Sequence, residues 1–158
     1  MYRWFVARTV RKVFAANSRG DWDVAYGKFA DDVHFRFPGD HELGAEYHRK
    51  ADTAGWFARV KDLFDLDFEV QQVVVRGWPW NTTACTRYVI RYTLPDGEPV
   101  ENRGMQYLKI VWGKVKADHL YLDTQIVARS IERTKTLRGG ARFEAGAGAG
   151  TPSPLQRA

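Results

Sequence analysis

Few residues in this 158-residue chain are of types that could carry out chemistry: four histidines (His34, His41, His48 and His119), one cysteine (Cys85), and carboxylates and arginines spread along an alternating second half. His41-Glu42 with His48 offers metal-ligating donors in one loop, but nothing in the chain has a strict ligand spacing such as His-Glu-x-x-His. The expectation is solvated loop histidines and no metal. A lone cysteine excludes an intrachain disulfide and a multi-cysteine metal centre, and it fits a reducing compartment, the cytoplasm. Trp78-Pro79-Trp80 has the residue types of a substrate-stacking lip, though a packed turn uses the same ones. Asp123, just before Thr124-Gln125-Ile126-Val127, reads as a helix N-cap, and becomes an acid-base candidate only if strand parity shifts by one.

The charge does not point to nucleic acid. Net charge is +5, yet residues 1–19 hold five basic and no acidic side chains, residues 129–158 hold six basic and two acidic, and residues 20–128 sum to −4. A domain that tracks phosphates would carry its Lys and Arg on the folded body rather than at the ends. The apolar run Trp4-Phe5-Val6-Ala7 is bracketed by Arg3, Arg8, Arg11 and Lys12, far too short for a membrane span or signal-peptide core. A basic amphipathic transit or membrane-surface helix is the rival reading of this segment; a domain-capping helix is the expectation, with no membrane partner.

These residues must be positioned by elements whose periods can be read. Val6, Val10, Val13 and Phe14 share a face of a helix over residues 3–17. Asp21 is an expected N-cap for a short second helix through Ala25 and Phe29. Val33-His34-Phe35-Arg36-Phe37 alternates as a strand closed by Pro38-Gly39, and residues 39–48 read as loop. A third helix over 49–64 carries Ala54, Phe57, Val60, Lys61 and Phe64 on its stripe. The period then becomes two, giving strands over 68–76, 82–94, 100–112 and 115–122 joined by short turns. A last short helix follows through Ile126, Val127 and Ile131. Residues 138–158, rich in Gly, Ala and Pro, read as a disordered tail after a domain spanning 1–137. Helices gathered ahead of consecutive strands imply an α+β layer fold.

This order, with Gly20-Asp21, Phe29-Ala30-Asp31-Asp32-Val33, Phe37-Pro38-Gly39, Trp112-Gly113-Lys114-Val115 and Leu120-Tyr121-Leu122-Asp123 at their spacings, resembles the nuclear transport factor 2-like superfamily, in its SnoaL-like and ketosteroid-isomerase-like branch. Gly77-Trp78-Pro79-Trp80-Asn81-Thr82 suggests an uncharacterised subgroup. The resemblance implies a cone-shaped curved sheet wrapped around the helices, with a largely apolar pocket at its wide end. It also implies which chemistries are lost. The isomerase general base falls at Phe37 and the oxyanion tyrosine at Val13. Of the Asp-Arg-Asp set of limonene epoxide hydrolases only Arg87 remains, the aspartates falling at Val89 and Leu120 and the water-holding tyrosine and asparagine at Phe35 and Phe37. The acid-base aspartate of SnoaL-like cyclases again falls at Leu120.

If Phe35 and Phe37 face the pocket, as the resemblance suggests, strand parity adds Val33, then Asp118, Leu120 and Leu122, and Arg87, Val89 and Arg91. Asn102, Gly104 and Gln106 follow on the strand over 100–112, unless one bulge substitutes Arg103, Met105 and Tyr107. With Phe57 from the third helix, the expected pocket is apolar, with Arg87, Asn102, Gln106 and Asp118 as its polar groups. Asp118 would be the general base and Arg87 an electrostatic clamp; the rival is a structural Arg-Asp pair that satisfies two buried charges. The expectation is a protein that binds a small hydrophobic molecule, acting as a cofactor-independent lyase, isomerase or hydrolase on a polyketide-like or terpenoid-like substrate. Its alternative is a non-catalytic ligand-binding or protein-interaction module. The same parity sends Tyr88, Ile90, Tyr92, Met105, Tyr107, His119 and Tyr121 to the outer face, which predicts a homodimer through the sheet.

Overall fold

The computed structural model describes residues 1–146. Helix α1 (Tyr2–Asn17) buries Val6, Val10 and Phe14 at intervals of four together with Ala16, and leaves Arg3, Arg8, Arg11 and Lys12 in water. The second helix, α2 (Asp23–Lys28), has its N-cap at Trp22, one residue later than expected, and buries no side chain completely. Asp21 does not cap it: its backbone N–H closes the end of α1 on the Ala16 carbonyl at 3.0 Å. Phe29 is the first residue of β1 (Phe29–Phe37), and a three-residue strand β2 (Ala45–Tyr47) forms inside the expected loop.

Helix α3 (Lys50–Leu63) buries Thr53, Trp56, Val60 and Leu63. Its stripe is therefore rotated from the expected one: Ala54 and Lys61 are exposed and Phe57 is half-buried. Trp56 takes the central place because its indole packs 4.7 Å from Phe35 and 5.3 Å from Phe37 while Nε1 donates to the Leu43 carbonyl at 2.8 Å, which satisfies its one polar group. Strands β3 (Asp67–Trp78), β4 (Asn81–Thr93), β5 (Pro99–Val111) and β6 (Lys114–Leu122) form the long meander. Helix α4 runs Thr124–Gly146, past Arg138 where a tail was expected to begin; the rest of that tail, residues 147–158, lies outside the described residues. Arg138 bonds Asp62 of α3 at 3.1 Å, so the helix is anchored at that point.

The six strands form one curved, unclosed sheet in the order β2-β1-β6-β5-β4-β3. All neighbours are antiparallel except β1 and β6, which pair in parallel and bring the ends of the chain's strand region side by side. The core lies on one face, between the sheet and residues of α1, α3 and α4.

The structure corrects the expected parity of β4. Thr82, Ala84, Thr86, Tyr88, Ile90 and Tyr92 point to the core, while Arg87 and Arg91 are exposed on the outer face. Val89 shares that outer face, pairs in register with Glu69 and Arg103, and stands apart from the core cluster. The physical reason is the balance within the strand. One face holds two tyrosines, an isoleucine and an alanine and the other two guanidinium groups, and burying the charged set would cost several kcal/mol per unpaired ion. Arg91 instead reaches Glu69 at 2.6 Å and Glu101 at 3.1 Å in water.

Candidate functional site

A cavity of about 330 Å³ opens between the sheet and helices α1, α2 and α3. Of the residues expected there, Phe35, Phe37, Phe57, Asn102, Gln106, Asp118, Leu120 and Leu122 line it. Val33 is fully buried in the core on the same side but is not part of the lining, and Arg87 and Val89 lie on the other face of the sheet. Arg87 therefore makes no pair with Asp118 and cannot act as the expected clamp.

Asp118 is aimed into the cavity by a bulge. Ile110 pairs with Val115 and Lys109 with Ala117, so Lys116 is an extra residue in β6, and Val115 and Asp118 both point inward although three positions apart. The carboxylate is 5% exposed. Its recorded side-chain partner is Gln106, whose Nε2 donates to Oδ1 at 2.8 Å. Removal from water raises its pKa from 3.8 to about 7, against the opposing effect of the Gln106 bond. An acid that stands half ionised near neutral pH can both take and return a proton.

Tyr88, which the parity expectation placed outside, is the polar group that sequence reasoning missed. Its ring is fully buried against Phe14 at 5.1 Å, and its hydroxyl has no hydrogen-bond partner. Gly104 makes room for it: a Cβ at that position would lie 2.9 Å from both Cζ and the hydroxyl oxygen. Burial, and secondarily the Asp118 charge, raises the phenol's pKa, so it stays protonated and can donate. The Asn17 side-chain oxygen, from the end of α1, is a second buried, unpartnered polar atom in the lining. Asn102 lies in the lining but its amide is already committed: Nδ2 donates to the Asp123 carbonyl at 2.9 Å, and Oδ1 accepts from the N–H of Arg103 at 2.8 Å and of Asp123 at 3.2 Å. That amide locks the β6–α4 junction.

The mouth is flanked by aromatic residues. Phe5 of α1, Pro79 of the β3–β4 turn and Trp112 of the β5–β6 turn all border the cavity, and the Trp112 N–H donates to the Pro79 carbonyl at 2.7 Å. Trp78 and Trp80 stack at 6.0 Å beside them and are more than half exposed. Asp123 is the cap that its position suggested: Oδ1 accepts from the N–H groups of Gln125 at 2.9 Å and Ile126 at 3.2 Å. Among the described residues no helix is long and apolar enough to cross a membrane.

Comparison with known proteins agrees with this architecture. The model of the SnoaL-like domain family matches residues 10–117. A nuclear transport factor 2-like protein of unknown function from Burkholderia pseudomallei K96243 superposes with a TM-score of 0.68 at 17% identity, over 79% of this chain and 95% of that one. A candidate polyketide cyclase from Xanthomonas campestris pv. campestris gives 0.60 at 19% identity, over 83% and 99%. AclR, a candidate hydroxylase from Streptomyces galilaeus, gives 0.64 at 17%, over 82% and 97%. At these identities the likeness is one of fold. The sequence has no significant match among curated proteins.

Proposed function

Because this chain belongs to the SnoaL-like domain family, we propose that it binds a small, largely apolar molecule in the cavity and moves a proton on it without a cofactor. Asp118 is the acid-base group, Gln106 holds its carboxylate in place, and Tyr88 donates a hydrogen bond to a substrate oxygen. The observation that carries this reading is Asp118 itself: a buried carboxyl facing a cavity, with no cationic partner among the described residues and its pKa raised to about 7. The volume of about 330 Å³ falls in the range of small-molecule pockets. The chemistry that suits one carboxyl and one phenol is removal of a proton from a carbon next to a carbonyl, with the developing enolate oxygen facing the phenol, followed by return of the proton elsewhere. Isomerisation and aldol-type ring closure of a polyketide-like or terpenoid-like substrate are reactions of this kind.

A non-catalytic ligand-binding role is favoured by a different observation: Phe37 and Leu120, both in the cavity lining, stand where the resemblance places catalytic carboxylates. The full chain, freshly purified and weighed by native mass spectrometry, should carry a small apolar molecule. In deuterated water the wild type should exchange a carbon-bound proton of that ligand, and Asp118→Asn should bind it without exchange. Exchange in the variant at the wild-type rate would remove Asp118 from the mechanism, and a bound ligand that never exchanges would favour the binding module. Cys85 is a free thiol and suits a cytoplasmic setting, and the outer sheet face is proposed as the contact surface of a homodimer.

A further inference from the structure

We propose that His34, Glu46 and His48 form a binding site for a divalent transition-metal ion of the Zn²⁺ class on the outer face of the sheet, where β1 and β2 meet. Three of the chain's four histidines gather here from separate elements, His34 on β1, His48 just after β2 and His119 on β6, so no spacing in the sequence announces them. The same alternation that turns Phe35 toward the core turns His34 away from it, and the antiparallel pairing of Phe35 with Tyr47 sets Glu46 and His48 on the same outer side.

One donor atom from each of His34, Glu46 and His48 lies within 4.8 Å of the others. His34 Nε2 is 2.7 Å from Glu46 Oε1, and His48 Nε2 is 4.0 Å from that oxygen. Ligand atoms around a tetrahedral zinc with bonds of about 2.0–2.1 Å are separated by about 3.3 Å. Small rotations therefore suffice, and they are open to Glu46 and His48, whose side chains are 51% and 72% exposed. His34 is the fixed member. Its ring stacks on His48 at 4.6 Å, and its Nδ1 lies 3.2 Å from His119 Nε2. With His34 in the Nδ1–H tautomer, that proton is donated to His119 and the Nε2 lone pair is left for the ion, the outer-shell arrangement common to metal-bound histidines. Arg36, paired in register with both Glu46 and His119, is a nearby cation that opposes binding. Two imidazoles and a carboxylate are borderline donors suited to Zn²⁺ rather than to Mg²⁺ or Ca²⁺. Three protein ligands leave the remaining coordination position open to water.

The test uses the full chain without a polyhistidine tag, stripped with chelator and titrated with Zn²⁺ by calorimetry, with the melting temperature followed in parallel. One ion should bind per chain and raise the melting temperature. His34→Gln and His48→Gln should each weaken binding at least about tenfold and remove the thermal shift, while His41→Gln, outside the cluster and packed on Phe37, should leave both unchanged. Mg²⁺ should not substitute. The proposal is overturned if no stoichiometric binding occurs, or if the His34→Gln/His48→Gln double variant, still melting cooperatively, binds Zn²⁺ as the wild type does.

Discussion

A carboxyl that the fold holds out of water makes stability depend on pH, and at Asp118 the sign is fixed by the direction of its shift. Its pKa stands at about 7 in the folded chain against 3.8 for a solvated aspartate, so the folded state binds the proton more tightly than the unfolded one. The favourable contribution is complete below about pH 4 and is lost as pH rises through 7, a difference on the order of 4 kcal/mol if fully expressed. Asp118→Asn should therefore melt like the wild type near pH 4 and clearly higher at pH 8, with the Gln106 bond kept by the amide oxygen. A variant equally destabilised at both pH values would show that the carboxyl is not desolvated as described. Tyr88→Phe removes a buried hydroxyl that has no partner, so it should leave stability unchanged or raise it, and weaken ligand binding or turnover. Loss of fold in that variant would mean that the hydroxyl serves the core. Asp118 was legible from alternation once the resemblance had set Phe35 and Phe37 toward the pocket. Tyr88 was not, because the parity of β4 was tied to Arg87, which the resemblance matched to the arginine of limonene epoxide hydrolases. The two exposed guanidinium groups of that strand were the signal that could have corrected it.

Elements were legible where one period ran long, and less so where a few residues decide between competing local bonds. The helix over 3–17 and the four long strands fall within a residue or two of their expected places, because each period runs over enough residues to survive the single-residue bulges in β3 and β6. Strand β2 has only three residues and exists through its pairing with β1, so nothing local announces it. The β5–β6 turn lies at Trp112-Gly113, with φ of +50° and +79°, the two left-handed positions of a tight hairpin turn. A tryptophan there is strained by about 1–2 kcal/mol. The strain is kept where the indole flanks the cavity mouth and lies 6.1 Å from Trp80. Trp112→Gly should therefore hold or raise the melting temperature while weakening ligand uptake, measured by titration of the copurified molecule; unchanged affinity would leave Trp112 without a role at the mouth. At the other end of β6, Asp123→Ala removes the cap of α4 and should cost about 1 kcal/mol without changing the pH dependence set by Asp118.

For the whole molecule, the α+β class followed from helices preceding a meander, whereas the parallel pairing of β1 with β6 joins strands far apart in sequence and has no local signature. The same rearrangement of β4 changes the expected partner surface. Tyr88, Ile90 and Tyr92 are spent on the core, and what remains outside is Met105 and Tyr121, 52% and 47% exposed, with Tyr107 and Cys85 in a shallow groove flanked by Arg87 and Arg103. Tyrosine and methionine are still the residue types that interface centres favour, but the patch is smaller and carries its own positive rim. In a symmetric pair each patch meets its own copy, so the Arg87 side chains approach one another and repel, whereas Arg103 is tied to Glu101 at 3.2 Å. Two consequences can be measured by sedimentation of the purified chain at micromolar concentration. A dimer should form, and it should tighten as salt screens the arginines rather than weaken. Tyr107→Glu combined with Tyr121→Glu should dissociate it without loss of fold, since both side chains lie outside the core cluster. Tyr88→Glu, by contrast, should unfold the monomer. A wild-type chain that sediments as a single copy at every salt concentration would leave the outer face free of this partner.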